Sequence, residues 1–382
     1  MSQDASSQQS REVRYAVVGA GWIAQAVFMP GVAATGNSRL TAIVTGNAHK
    51  GQVLAERYGL AREHVYHYDR YDALLGSGLV DAVYIATPNW DHESYVQRAL
   101  AAGIHVLLEK PVEVSVERAE RIHAAAEQAS LRGVRLMVAY RLHFEPATLD
   151  AIQRVREGQI GRPLFFTSQF SQHVSPQNHR AKHGFDAGPV LDMGPYPINA
   201  ARNFFGAEPT SVYAIGTRHP EMQLGDFDDT VSVTLGFDGG RVAQFTVSYA
   251  GASLGAYQLV GEKGVLQMSP AYTFQAGLTQ ILKLGGDDPR EHTFPAVDQF
   301  AGETRYFSDC IIAGRDPEPD SEEGLLDVRV TDAVRRSLET GTVQKLEARA
   351  RRRRIEPDRQ KQDVPARNQP ELVEAHAPEQ GR

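Results

Sequence analysis

The stretch Val17-Val18-Gly19-Ala20-Gly21-Trp22-Ile23-Ala24 constrains this chain more than any other. A short apolar run, Tyr15 to Val18, enters a turn that spells G-x-G-x-x-A. The first glycine permits the tight turn, the second lets a pyrophosphate approach the backbone, and the alanine lets the following helix pack close to the strand. The helix start then offers free N–H groups and the positive end of its dipole to phosphate. The pattern predicts a strand–turn–helix unit that binds a dinucleotide.

The segments beyond the turn extend that unit. Leu40–Val44, Ala82–Ala86, Ile104–Leu108 and Arg135–Ala139 read as short buried strands, and Ala48–Tyr58, His92–Ala102 and Val116–Ser130 as helices between them. Alternation of this kind predicts parallel βαβ units with right-handed crossovers. Past Arg141 the texture changes. A helix near 147–157 precedes β-like runs at 164–170, 211–216, 230–237, 242–250, 256–261 and 264–268, joined by turns such as Asp238-Gly239-Gly240. These predict a second domain built on an antiparallel or mixed sheet. A last amphipathic helix is expected over 323–341. The expected limits are a disordered tail at 1–12, a dinucleotide-binding domain at 13–140, a second domain at 141–345 and a polar tail at 346–382. Within that tail the run Arg351-Arg352-Arg353-Arg354 reads as a solvated surface.

A chain of 382 residues has room for two domains. Its net charge of −7 argues against nucleic acid or an anionic membrane as a partner. The single cysteine, Cys310, excludes an intramolecular disulfide and a thiolate cluster, and it reads as a core residue. Residues 1–10 lack the basic and apolar blocks of a secretory signal, and no apolar run reaches the length of a membrane span. A cytoplasmic protein is expected.

Four places carry chemistry. At the end of the second strand, where an NAD-binding protein usually carries an acid for the ribose 2′-OH, the chain reads Thr45-Gly46-Asn47-Ala48-His49-Lys50. A hydroxyl, an amide and a lysine near a helix start attract a 2′-phosphate, so NADP is expected over NAD. Glu109-Lys110-Pro111 lies past the carboxyl end of a buried strand, the edge at which open α/β sheets bind ligands. Lys110 there is either functional or half of a strand-end salt bridge with Glu109. Further on, Gly188-Pro189-Val190-Leu191-Asp192-Met193-Gly194-Pro195-Tyr196 reads as a turn entering a helix. If that helix persists, it puts Asp192 and Tyr196 on one face. Asp, Tyr and a nearby Lys form a proton-transfer set. His179 and His183 have i, i+4 spacing, but no third metal ligand matches, and no metal is expected.

The conjunction of Gly19-x-Gly21-x-x-Ala24, Thr87-Pro88-Asn89 with His92, Glu109-Lys110-Pro111 and Gly188 through Asp192-x-Gly194-x-Tyr196 resembles the glucose-fructose oxidoreductase/inositol dehydrogenase/rhizopine catabolism family. The resemblance runs from about residue 13 to the final helix. Thr45 to Lys50, the Tyr140-Arg141 pair, Tyr196 where many relatives carry His, and Glu322 through Arg329 place it nearest the glucose-fructose oxidoreductase branch. The resemblance implies an α/β fold: an N-terminal Rossmann domain, then an α/β domain with a large, open, mostly antiparallel sheet through which the chain forms a homodimer or homotetramer. It implies bound NADP and a sugar substrate. It assigns Lys110, Tyr196 and Asp192 to the reaction. To the cofactor it assigns Gly19, Gly21, Trp22, Ile23, Thr45, Gly46, Asn47, Lys50, Tyr68, Thr87, Pro88, Asn89, His92, Glu109, Lys110 and Arg141. To the sugar it assigns Lys110, Tyr140, Arg180, Asp192 and Tyr196. The activity implied is hydride transfer between the nicotinamide and a sugar carbon, with tightly held cofactor. The alternatives are a simple sugar or diol dehydrogenase that releases its NADP and a non-catalytic NADP sensor.

Overall fold

A computed structural model describes residues 12–274, 276–347, 349–351 and 353–379. The expected disordered tail lies outside the described residues, apart from Glu12. Six strands, β1 (Val13–Val18), β2 (Ser38–Val44), β3 (Val65–Tyr66), β4 (Ala82–Ile85), β5 (His105–Glu109) and β6 (Leu136–Ala139), form a sheet in the order β3-β2-β1-β4-β5-β6. Every pairing in it is parallel. The chain order reverses on either side of β1, so the loops after β1 and β4 diverge and leave a crevice at the carboxyl edge.

The second sheet contains β7 (Pro163–Ser171), β8 (Pro209–Thr217), β9 (Thr230–Phe237), β10 (Arg241–Ser248), β11 (Leu254–Gly261), β12 (Gly264–Met268), β13 (Thr279–Leu284), β14 (Arg290–Thr293) and β15 (Gln344–Lys345). Their order is β14-β13-β12-β11-β7-β10-β9-β8-β15, antiparallel except where β10 meets β7. Strand alternation sends one set of side chains, Phe166, Val233, Leu235 and Leu259 among them, into a core shared with the helices Pro146–Arg156 and Pro195–Phe205. The opposite face leaves Phe165, Tyr213, Ile215, Val242 and Leu254 exposed. Strands β13 to β15 were not apparent from the residue pattern.

Two further helices tie the sheets together. Gln299–Ala313, which the residue pattern did not disclose, starts at Asp298, whose side chain accepts from the Ala301 N–H, and ends at the left-handed Gly314. Its Tyr306, Phe307 and Cys310 pack against Tyr15 and Val17 of β1, so Cys310 is a core residue. The helix Ser321–Thr340 sends Leu325 and Val328 into the core of the parallel sheet and Val330 and Val334 into that of the second. The chain thus returns from the second domain to finish the first.

The polar tail departs from expectation. Arg351 is buried, within 2.6 Å of Glu323, 3.0 Å of Asp320 and 3.3 Å of Glu318. Arg354 pairs with Glu208 at 3.0 Å and Arg353 with Asp316 at 2.7 Å, while Arg352 lies outside the described residues. An arginine run reads as solvated when its partners are distant in sequence. Here the acids come from the turn before Ser321–Thr340, from the first turn of that helix and from residue 208. Ile355, Gln360 and Val364 are buried in turn, so the segment is packed against the body.

Candidate active site

The glycine turn has the geometry a dinucleotide needs. Gly19 holds φ at 95°, and a Cβ there would sit 2.6 Å from the Ala86 carbonyl oxygen. Gly21 faces open space, with nothing within 4 Å of where a Cβ would stand. The helical turn Ala24–Phe28 follows closely behind it and is a π turn, with i→i+5 hydrogen bonding. Trp22 lies with its ring 6.3 Å from Phe274, and the Arg180 guanidinium stands 5.8 Å from the same indole. Ile23 packs beside Ala26 and Phe300. Thr87, in the loop after β4, buries a hydroxyl oxygen that has no partner among the described residues. An open glycine cradle and an orphaned hydroxyl at the same sheet edge fit a bound dinucleotide.

At the end of β2, Asn47 caps the helix Ala48–Arg57 by accepting from the Lys50 N–H at 3.0 Å. The Asn47 N–H in turn reaches the Thr45 hydroxyl at 3.3 Å. The Tyr68 ring packs over Gly46, 3.3 Å from where a Cβ would stand. Thr45, Gly46, Asn47, Lys50 and Tyr68 therefore gather at one strand end.

His92, expected as a neighbour of the cofactor, is fully buried. One ring nitrogen lies 3.0 Å from the Pro111 carbonyl and the other 3.1 Å from that of Thr87. Burial outweighs these acceptors and brings its pKa down to about 4, so the ring is neutral at pH 7. The ring sits between the Thr87-Pro88-Asn89 loop and the Lys110–Pro111 turn, whose peptide is cis, and in its neutral form it donates to one of the two carbonyls. Asn89 reaches across to the second domain and donates to the Asp186 carbonyl at 3.2 Å.

The chemistry converges where β5 ends. Lys110 Nζ donates to the Asp192 carbonyl at 2.6 Å and to its carboxylate at 3.1 Å. It also stands 5.1 Å from the centre of the Tyr196 ring. Burial would depress the ammonium, but Asp192, Tyr196 and Glu109 outweigh it and raise its pKa above the ordinary value. Burial pushes the Asp192 carboxyl upward, yet Arg180, at 2.9 Å, and Lys110 hold it well below the usual carboxylate range. Glu109 does not form a strand-end salt bridge with Lys110: it accepts from the Tyr84 hydroxyl at 2.5 Å, and Lys110 turns to Asp192.

The structure also changes how these groups are brought together. The expected single helix through Asp192 and Tyr196 is two, Pro189–Asp192 and Pro195–Phe205, broken at Met193-Gly194. Gly194 lies too close to the Val190 carbonyl to accept a Cβ, which would approach it to 2.2 Å. Lys110 joins the two fragments by bonding Asp192 and facing Tyr196. Arg141 donates to the Tyr196 hydroxyl at 3.1 Å and to the Tyr272 carbonyl at 2.6 Å, and it also bonds the Gln299 side chain. Tyr140, expected at the sugar, gives its hydroxyl to Asp327 at 2.6 Å inside the core. His183 lies with its ring 4.4 Å from that of Trp90. Among the described residues no three potential ligands cluster around a metal position.

Sequence reasoning missed Tyr249 and Gln299. The Tyr249 hydroxyl lies 3.0 Å from the Asp192 carboxylate and 2.9 Å from the Ala187 carbonyl, two acceptors within reach of its one proton. Neither residue lies in a motif; each reaches the site through a strand or helix remote in sequence.

Comparison with known proteins gives the same result. Residues 13–140 match the model of an oxidoreductase family with an NAD-binding Rossmann fold, and 148–267 match the C-terminal domain of the GFO/IDH/MocA proteins. The chain belongs to the GFO/IDH/MocA family. It is 30% identical over 342 residues to a D-xylose 1-dehydrogenase [NADP(+)] from Haloarcula marismortui, covering 88% of this chain and 93% of that one. The crystal structure of an aldose-aldose oxidoreductase from Caulobacter crescentus, complexed with glycerol, superposes with a TM-score of 0.82 at 32% identity, covering 88% of this chain and 100% of that one. A 3-ketoreductase from Actinomadura kijaniata, solved with NADP and TDP-benzene, gives 0.75 at 30% identity over 86% and 98% of the two chains. As a GFO/IDH/MocA protein this chain is an oxidoreductase of a family that acts on sugars, with the two-domain architecture described above. Among the described residues no helix is long and apolar enough to cross a membrane.

Proposed function

We propose that this chain is an NADP-dependent sugar oxidoreductase that moves a hydride between the nicotinamide and a sugar carbon. The observation that carries the reading is the single ammonium of Lys110, bonded to Asp192 and facing Tyr196 at the carboxyl end of β5. The nicotinamide supplies the redox chemistry when bound. The protein's task is to orient the sugar and move one proton. Tyr196 is the proposed donor or acceptor of that proton through its hydroxyl. Arg141 donates to the same oxygen, a contact that strengthens as negative charge builds there. Lys110 holds a positive charge beside the reacting oxygen, and Asp192, clamped by Arg180 and Tyr249, keeps the ammonium in place. The aldose and xylose activities of the relatives support a sugar of that size as substrate.

NADP is favoured by the acid-free Thr45 to Lys50 stretch and by the NADP named for two of these relatives. NADPH is expected to bind about tenfold or more tightly than NADH, in line with a charge-assisted contact to the extra phosphate. Fluorescence titration of both, followed by a panel of aldoses and ketoses under the preferred cofactor, checks this; tighter NADH binding, or no turnover of any sugar, refutes the reading.

The apolar residues on the open sheet face support pairing of two copies through it. Ile215→Lys is expected to shift the chain toward monomer in sedimentation velocity, and unchanged sedimentation would count against that interface.

A further inference from the structure

The segment beyond Ile355 crosses the cofactor domain and finishes on the second one. Asp298 donates its N–H to the Val364 carbonyl at 2.7 Å, and Arg367 bonds the Pro30 carbonyl at 2.6 Å. Leu372 packs beside Ala26, Val27 and Phe300. Gln25, in the helical turn behind the glycines, is fully buried and holds Val373 twice: its side chain accepts from the Val373 N–H at 2.7 Å and donates to the Val373 carbonyl at 3.0 Å. The strap ends on the second domain, where the Ser175 N–H donates to the Pro378 carbonyl at 3.0 Å.

Between these two anchorages lies Glu374, held at a φ of 45°, uncommon for a residue with a side chain. One of its oxygens accepts from the Asn47 side-chain amide at 2.6 Å, and the other lies 2.8 Å from His49 Nδ1. Hydrogen bonds from His49 and Asn47, with the charge of Lys50, keep this carboxyl below its ordinary pKa, so it is anionic at pH 7. A carboxylate thus lies against the amide, the imidazole and the helix start that follow β2, groups suited to a phosphate. The acid missing from the end of β2 arrives from the far end of the chain.

We propose that Glu374 is a tethered competitor for the 2′-phosphate of NADP, and that the strap must lift it off Asn47 and His49 before that phosphate enters. The inference rests on the reading of Thr45 to Lys50 as the 2′-phosphate site. Two like charges do not share one set of donors, so each NADP molecule that binds or leaves exchanges with Glu374. The strap then sets how strongly the protein discriminates NADP from NAD, and how fast the cofactor is exchanged.

The test compares adenosine 2′,5′-bisphosphate with 5′-AMP by titration calorimetry, on the full chain and on Glu374→Gln and Glu374→Ala. These ligands differ only in the phosphate at issue. Both variants are expected to raise the ratio of the two affinities about fivefold, the scale of removing one solvent-accessible charge contact. The gain should come from the bisphosphate, with 5′-AMP binding unchanged. A bisphosphate preference that is present but equal in all three proteins overturns the role of Glu374 and leaves the phosphate site standing. Equal binding of both ligands by all three overturns the site and the competitor together. Weaker 5′-AMP binding in the variants also overturns the proposal, because it makes Glu374 an acceptor for the ribose hydroxyl.

Discussion

Lys110→Ala is expected to lower turnover by about a hundredfold to ten-thousandfold, the range in which a positioned proton-transfer or charge-stabilising group contributes. NADPH binding should survive, because the glycine turn and the Thr45 to Lys50 stretch are untouched. The variant should also fold: without the ammonium, Asp192 keeps Arg180 at 2.9 Å and the Tyr249 hydroxyl at 3.0 Å. Steady-state kinetics with the best sugar, alongside NADPH titration, separates the two effects. Turnover within a few-fold of the parent would remove Lys110 from the reaction and leave Tyr196 with Arg141 as the working pair. Joint loss of turnover and cofactor binding would assign it to holding the dinucleotide.

The second large effect concerns stability. Arg351→Met takes away a buried guanidinium that neighbours Glu318, Asp320 and Glu323. Glu323 is buried; burial would raise it, yet Arg202 and Arg351 bring its pKa down to about 2. Breaking a buried charge cluster by removing one partner costs about 3–5 kcal/mol, because the remaining charges stay uncompensated. The loss should lie toward the lower end, since Arg202 still pairs with Glu323 at 3.0 Å. Urea unfolding at pH 7 measures it. A midpoint equal to the parent's would return Arg351 to the solvated surface that an arginine run ordinarily forms. A lowered midpoint with normal turnover in dilute urea-free buffer would make the segment after 345 part of the fold and leave the chemistry to the first 340 residues.

These two residues show how unequally the chain discloses itself. The route to Lys110 runs through local pattern. A glycine turn between strand and helix, a lysine at the end of a buried strand and an Asp-x-Gly-x-Tyr turn are all short-range signals, and each is a backbone requirement or a sheet-edge position. Local pattern therefore disclosed the Rossmann half and an antiparallel or mixed second sheet, and it singled out Lys110, Asp192 and Tyr196, which the fold brings together. It also placed the long helix expected over 323–341 within about two residues of its observed start at Ser321.

Where pattern failed, the cause was distance along the chain. Arg351 looked solvated because its carboxylates, Glu318, Asp320 and Glu323, lie far back along the chain. Nothing near His92 in the sequence announces that its ring is buried between the carbonyls of Pro111 and Thr87. Helix Gln299–Ala313 escaped notice because Glu303, Thr304 and Ser308 interrupt its apolar stripe, and each is buried. Tyr140 was assigned to the sugar by the family resemblance; adjacency to Arg141 does not disclose that the two side chains leave the backbone in different directions, one to Asp327 and the other to Tyr196.

The sequence alone was sufficient for what a few consecutive residues dictate: the glycine turn, the strand and helix alternation, and residue types suited to carrying a proton and a charge. Tertiary structure decided which of those side chains meet. It turned Lys110 from Glu109 to Asp192, put Arg141 on the Tyr196 hydroxyl, and brought Glu374 across more than three hundred residues to Asn47. Backbone conformation is a near-neighbour property, whereas a charge's partner is whichever opposite charge folding places within a few ångströms of it, and sequence separation does not enter that energy.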